Sequence, residues 1–439
     1  MKKLLSFAAS CVFGLGLISA QTENSTSKDL KVTSGGKVLN IYCWNDEFMS
    51  IMSEYYPAYD SATQMIGDVQ VNWILKPNMN SMYLKNLEEE LAAQKNTAPD
   101  ERVDIFITEP DYATKFIESK YTADLKSQIG LSEKDIANQF AYTKNLYTDS
   151  EGALKGVTWQ AFPNVMIYRR SIAKDLFGSD EPELVQKKLS NWKNFENVAE
   201  LAKQKGYRMV SGYDDTFRTF TSDAKNKWVQ NGKITVDKTY DAWIQQTKDF
   251  SDKGYTNKTN LWSAEWMQDM QRNSSVFCYF APEWFIDYVL ALSFDPESKN
   301  TDWAVCKGPQ SSFWGGTWIS AAAGTDNADI VKDILLKLTC DTENMQKIAL
   351  GNKTFVNNER AMNAVGSDKR FNREILGGQN PSKIFITVAK SIKQSKLGLH
   401  DEELNNILIS AMRFYFNGTK SLESAWQQFY DDARQSFRN

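Results

Sequence analysis

The chain of 439 residues has a single histidine, His400, and five cysteines with no C-x-x-C pair among them. That removes Ser-His-Asp and Cys-His catalysis and most zinc sites, and it removes thioredoxin-type redox chemistry. No G-x-x-x-x-G-K-S/T occurs; Gly35-Gly36-Lys37 precedes the first predicted strand, the wrong context for a phosphate loop. No alternating-acid calcium loop is present either. Neither a metal nor a cofactor is therefore expected. Lysine and arginine form no dense block and the formal charge is −4. Loss of Lys2 and Lys3 with a leader makes it −6 (−4 minus 2), which argues against nucleic acid as a partner. Paired-carboxylate enzymes are not excluded in this way, because Asp and Glu are plentiful.

Long apolar runs are absent after the N-terminus. Lys2-Lys3, the mostly apolar Leu4–Ile18 and the small Ser19-Ala20 read as a secretory signal over residues 1–20. The run is too short and too glycine-broken for a good membrane anchor. Lipidation at Cys11 is the competing reading, weakened because cutting there leaves Val12–Ile18 on the mature chain. A soluble, monomeric, periplasmic protein is the simplest expectation. Export permits a disulfide, for which Cys306 and Cys340 are the pair to consider; buried free thiols are an equal alternative.

Residues 21–37 are rich in Ser, Thr and Lys and read as a flexible leader. From Val38 the chain alternates. Strands are predicted at Val38–Cys43, Val69–Leu75 and Val103–Thr108, and helices at Asp46–Tyr56, Met82–Gln94 and Asp111–Ser119. That order implies a parallel sheet covered on both faces. Pro163 inside the β-prone Gly156–Ile167 predicts a bend or an edge. Strand and helix alternate again through Gly316–Ala322 and Asp329–Leu338, and the tail is helical over Asp401–Tyr415 and Leu422–Arg434. The length exceeds one compact core, so two lobes are expected.

What the chain does have is tryptophan or tyrosine beside carboxylates or amides where elements end. The cases are CWNDE (43–47), TEPDY (108–112), TWQ (158–160), GYDDTFR (212–218), LWSAEW (261–266), APEW (281–284) and FWGGTW (313–318). Sugar faces pack on aromatic rings, and vicinal hydroxyls pair with carboxylates, amides or Arg, which present two coplanar partners. Most tryptophans in so aromatic a chain serve packing, and Trp73, Trp192, Trp228 and Trp243 are assigned there. Trp44, Trp284 and Trp314 lie at junctions, where open α/β sheets bind ligands. Asp46, Asp111 and Asp215 have helix capping as their alternative role, and Arg218 a surface ion pair.

Four segments in order, VLNIYCWNDEF, VDIFITEPDYATKFIESKYTADL, KGVTWQAFPNVMIYRRSIAKDLFG and FWGGTWISAAAGTDNADIVKDILLKL, resemble extracellular solute-binding proteins of carbohydrate ABC transporters, the maltose-binding-protein-like class. The resemblance runs from about Val38 to the end. It implies an α/β, two-lobe periplasmic-binding-protein fold, each lobe a mainly parallel sheet flanked by helices, joined by crossing hinge strands. The first lobe would hold residues 38–162 and 312–354, the second 163–311 and 355–439. It implies a carbohydrate ligand captured between the lobes by hinge closure, no catalysis, and delivery to the membrane permease subunits of a transporter. The residues at its ligand-contacting motifs are Trp44, Asn45, Asp46, Glu109, Asp111, Trp159, Asp215, Trp284, Trp314 and Gly315, and Arg218 beside them completes the expected site. The density of carboxylates near tryptophan keeps a polyamine or other cationic solute as an alternative, and a secreted carbohydrate-active enzyme as a third reading.

Overall fold

The computed structural model describes residues 30–78, 82–291, 301–393 and 397–437. The signal sequence and Cys11 lie outside them. The strands that position the site are β1 (Val38–Cys43), β2 (Val69–Leu75), β3 (Ile105–Thr108), β4 (Pro163–Arg169), β5 (Cys278–Ala281), β6 (Trp303–Cys306) and β7 (Trp318–Ala321). In the first sheet β1 is central and parallel to both neighbours, with Ile41 opposite Trp73 of β2 and Ile105 of β3. Strand β7 closes one edge antiparallel to β3, and the short strands Tyr59–Asp60 and Met65–Ile66 extend the other. Leu39, Ile41, Tyr42 and Cys43 are all buried. Both faces of β1 are therefore covered, and its sequence is a near-continuous apolar run rather than an alternation.

The second sheet corrects the expected strand direction. Strand β4 is its middle strand, antiparallel to β5 on one side and to β6 on the other, with Ser312–Phe313 pairing onto Asn164 and Pro163. Pro163 does not make β4 an edge. It is the first residue of the strand, where its missing N–H interrupts no interior ladder bond. Strand direction is set by how the chain returns from distant segments, and hydrophobic spacing carries no record of that. A smaller sheet pairs Val210–Gly212 with Thr256–Thr259 in parallel.

The leader expected over residues 21–37 is fixed along its described part. Thr33 and Gly36 donate backbone N–H groups to the carbonyls of Thr325 and Asp326, both at 2.9 Å, and Thr33 accepts from Ala328. The described cysteines are all free, so Cys306 and Cys340 form no bridge; burial pushes the Cys306 thiol up to about 12.

Helices cover these sheets. The ones used below are α1 (Glu47–Tyr55), α2 (Pro110–Ile117), α3 (Phe217–Thr221), α4 (Lys238–Lys253) and α5 (Asp401–Phe416). One apolar core runs from Ile41 and Trp159 through Ile167 to Phe285, and a separate one joins Phe217, Trp243, Leu408 and Phe416. Helix α5 packs on α4 and also touches α2, so the tail reaches back to the first sheet's helices.

Candidate functional site

A cavity of about 620 Å³ opens where α2, α3, α5 and the segments around residues 262, 284 and 314 converge. That lies within the range of about 300–1,000 Å³ usual for small-ligand sites. One wall is three tryptophans. Trp314 lies 5.3 Å from Trp284 and 5.7 Å from Trp262, ring centre to ring centre, and Trp262 lies 6.3 Å from Trp284 at 18° between planes. Trp262 is 52 % exposed and holds a left-handed φ of +67°. A bulky residue adopts that backbone at a cost of about 1–3 kcal/mol, and such strain concentrates at ligand sites. Trp314 is turned out by Gly315 and Gly316, with φ of +70° and +117°. A Cβ on Gly316 would sit 2.6 Å from the Trp318 ring, so glycine is required there.

Ionic groups adjoin the tryptophan wall. Glu109 precedes α2 at the carboxyl end of β3, and Asp111 sits in the first turn of α2. Arg218 on α3 donates to both Asp111 oxygens, at 3.2 and 2.8 Å, while its guanidinium covers the Trp314 ring at 4.9 Å. Arg413 on α5 pairs with Asp214 at 2.6 Å. Burial, reinforced by Asp111 and only partly offset by Arg218, pushes Glu109 up to about 7. Burial also raises Asp215 to about 7, although it accepts N–H bonds from Ser211, Gly212 and the Trp266 ring.

The structure brings Glu109, Asp111, Asp215, Arg218, Trp284 and Trp314 to one cavity, with Gly315 supporting the last. It does not bring the rest. Trp159 is fully buried and stacks on Phe48 at 5.6 Å, so its assignment is corrected to the core. Trp44 packs edge-on against Tyr83 and Tyr112 and does not line the cavity. Asn45 and Asp46 are exposed, and Asp46 occupies the N-cap position of α1 with no side-chain cap bond. Their neighbour Glu47 turns inward instead, accepting from Gln160 and, at 3.2 Å, from Thr317. Trp262, Asp214, Glu402 and Arg413 were not expected. The LWSAEW motif pointed to Trp262, but Trp266 four residues on is core, and spacing does not separate the two.

A family model described as bacterial extracellular solute-binding protein matches residues 85–355, more than half of the chain. The chain belongs to that family. A crystal structure of an extracellular solute-binding protein family 1 member is similar with a TM-score of 0.75, 18% identity, and 91% of this chain and 99% of that one covered. The sugar-binding protein MalE of Xanthomonas citri is similar with a TM-score of 0.66 and 13% identity, over 90% of this chain and 96% of that one. The galacto-N-biose-/lacto-N-biose I-binding protein of a Bifidobacterium longum ABC transporter, in complex with lacto-N-biose, gives 0.64 and 13%, over 92% and 98%. No curated protein matches in sequence. Among the described residues of this solute-binding protein no helix is long and apolar enough to cross a membrane, and no cluster of His, Cys, Asp and Glu could hold a metal.

The raised carboxyls predict a pH dependence of stability. Asp104 and Asp401 are pushed up to about 6 by burial, and Glu109 and Asp215 to about 7. The unfolded values lie near 4. Between about pH 4 and 7 the folded solute-binding protein therefore holds more protons than the unfolded chain, and stability falls as pH rises through that window. The melting temperature should be higher at pH 5.5 than at pH 8; the reverse order would remove these buried carboxyls as the controlling groups.

Proposed function

We propose that this solute-binding protein is the receptor of a sugar importer. It captures a sugar or oligosaccharide in the cavity and delivers it to membrane permease subunits, without catalysis, as a periplasmic monomer. The observation that carries the reading is the wall of Trp262, Trp284 and Trp314 with the Asp111–Arg218 pair against it. Aromatic faces take sugar faces, and the coplanar groups beside them take hydroxyls. The structural neighbours crystallised with galactobiose, lacto-N-biose and maltose support the same class of ligand.

The proposed lobes are residues 38–162 with 312–354, and 163–311 with 355–439. On that division Asp111 and Arg218 come from opposite lobes. Both side chains keep about a third of their exposure, and such solvent-accessible pairs contribute about 0–1 kcal/mol. Breaking that pair therefore costs little, and a ligand touching both segments favours the closed form through its differential affinity.

A thermal-shift screen against mono- and oligosaccharides tests the reading, since a ligand bound only by the folded state raises its apparent stability. A sugar should raise the melting temperature. Trp284→Ala and Trp262→Ala should each weaken its binding by about 1–3 kcal/mol, by analogy with stacking of bases on aromatic rings, with little change in the unliganded melting temperature. Steady hydrolysis of the bound sugar by pure protein would favour an enzyme instead.

A further inference from the structure

Resting on the sugar-receptor reading, we propose that the ligand is an amino sugar, whose protonated amine is held by Glu109 and Glu402 at the rim of the tryptophan wall. The charges lining the cavity do not balance. Arg218 is taken by Asp111, Arg413 is taken by Asp214, and Asp215 is satisfied by two backbone N–H groups and the Trp266 ring. Half-buried Glu109 and exposed Glu402 remain; among the described residues neither carboxylate has a hydrogen bond or an ion pair, and only the charge of Arg218 favours their ionised forms. Asp214, only 7 % exposed, is enclosed, its Oδ2 accepting from Arg413 and the Leu261 N–H and its Oδ1 buried without a partner.

Closing the cleft over a neutral sugar would desolvate these oxygens with hydroxyl donors alone to meet them. A buried carboxylate without a countercharge is costly, and a hydrogen bond to a charged group is worth about 1.5–3 kcal/mol. An ammonium supplies three donors and the missing positive charge together. A bare polyamine would meet the same carboxylates, and spermidine is therefore the competing probe. Two guanidinium groups also line the cavity, each paired with an aspartate. Sugar hydroxyls have a use for those guanidinium groups and for the neighbouring Asn405, Asn406 and Ser410, and sugar faces have a use for the tryptophans.

Matched ligands test this by titration calorimetry at pH 6.5. The probes are glucosamine and its β-1,4-linked dimer, the N-acetylated forms of both, glucose and cellobiose, and spermidine. The amine forms should bind about tenfold or more tightly than their acetylated and hydroxyl counterparts. Glu109→Gln with Glu402→Gln should abolish that preference, so that amine and neutral forms bind alike, while the double variant still unfolds cooperatively. Neutral sugars bound as tightly as amines, or a preference that survives both substitutions, would overturn the amine assignment and leave the sugar reading standing. Spermidine bound with every sugar silent would overturn the sugar reading itself. Silence from all probes would overturn the amino-sugar assignment, and the wider sugar screen would then judge the receptor reading separately.

Discussion

Arg373→Met is expected to remove about 3–5 kcal/mol of folding stability, the usual loss when one partner of a buried ion pair is deleted. Arg373 is 2 % exposed and pairs with Glu283 at 2.7 Å and, through Nε, with Asp287 at 3.2 Å. It also donates to the backbone carbonyls of Lys353 and Phe371. Glu283 in turn accepts from Thr354 and from the backbone N–H of Phe355. This network ties the chain around Trp284 to residues 353–373, so it holds the ring that lines the cavity. Without the guanidinium, Glu283 is left buried beside Asp287. Burial already raises its pKa, and only Arg373 opposes that rise strongly. The variant's carboxyl should therefore take up a proton at ordinary pH. A folded pKa above the unfolded one means the deficit shrinks as pH falls, so urea unfolding should show a smaller loss at pH 5 than at pH 8. The double variant Arg373→Met with Glu283→Leu should recover much of the loss, because an apolar pair carries no stranded charge. A single variant as stable as wild type at pH 8 would show that the pair contributes nothing.

Trp243→Ala should cost a similar amount, about 3–5 kcal/mol, by cavity formation. Trp243 in α4 is fully buried and meets Phe217 and Phe416 edge-on at 4.8 and 5.2 Å. Its ring N–H has no hydrogen-bond partner among the described residues, which costs the fold about 1–3 kcal/mol. Trp243→Phe should therefore be far milder than the alanine variant, since it removes that stranded donor while keeping most of the ring. Ligand affinity should stay within about threefold in both variants wherever the protein is folded, in contrast to Trp284→Ala. Thermal melts and calorimetry on the same three variants separate core from cavity. If Trp284→Ala unfolds the protein while Trp243→Ala loses only ligand, the two assignments are exchanged.

These two tryptophans also show how far sequence reasoning reached. Trp243 sits within a helical period with apolar neighbours, and Trp284 at the end of a strand beside Glu283, so the spacing separated them. Glu109 and Asp111 were legible because a buried strand, β3, ends in an acidic turn before a helix. Trp159 misled because it lies in a β-prone run next to a polar residue, Gln160. What buries it is Phe48 of α1, more than a hundred positions earlier in the chain. Glu402 and Arg413 left no signal. Helix α5 reads only as part of a helical tail, and its packing across α4 and α2 carries those side chains to the cavity. The antiparallel second sheet was hidden for the same reason, since β5 and β6 join β4 from segments more than a hundred residues away.

The proposed sugar lies against the tryptophan wall, between the segment bearing Glu109 and Asp111 and the one bearing Arg218 and Trp284. The most direct measurement is a crystal structure with the sugar that gives the largest thermal shift. A pyranose ring should lie in van der Waals contact with Trp284 or Trp262, and a ligand polar group within hydrogen-bond distance of Glu109 or Arg218. A sugar bound elsewhere on the surface, with the Trp262, Trp284 and Trp314 rings untouched, would contradict it.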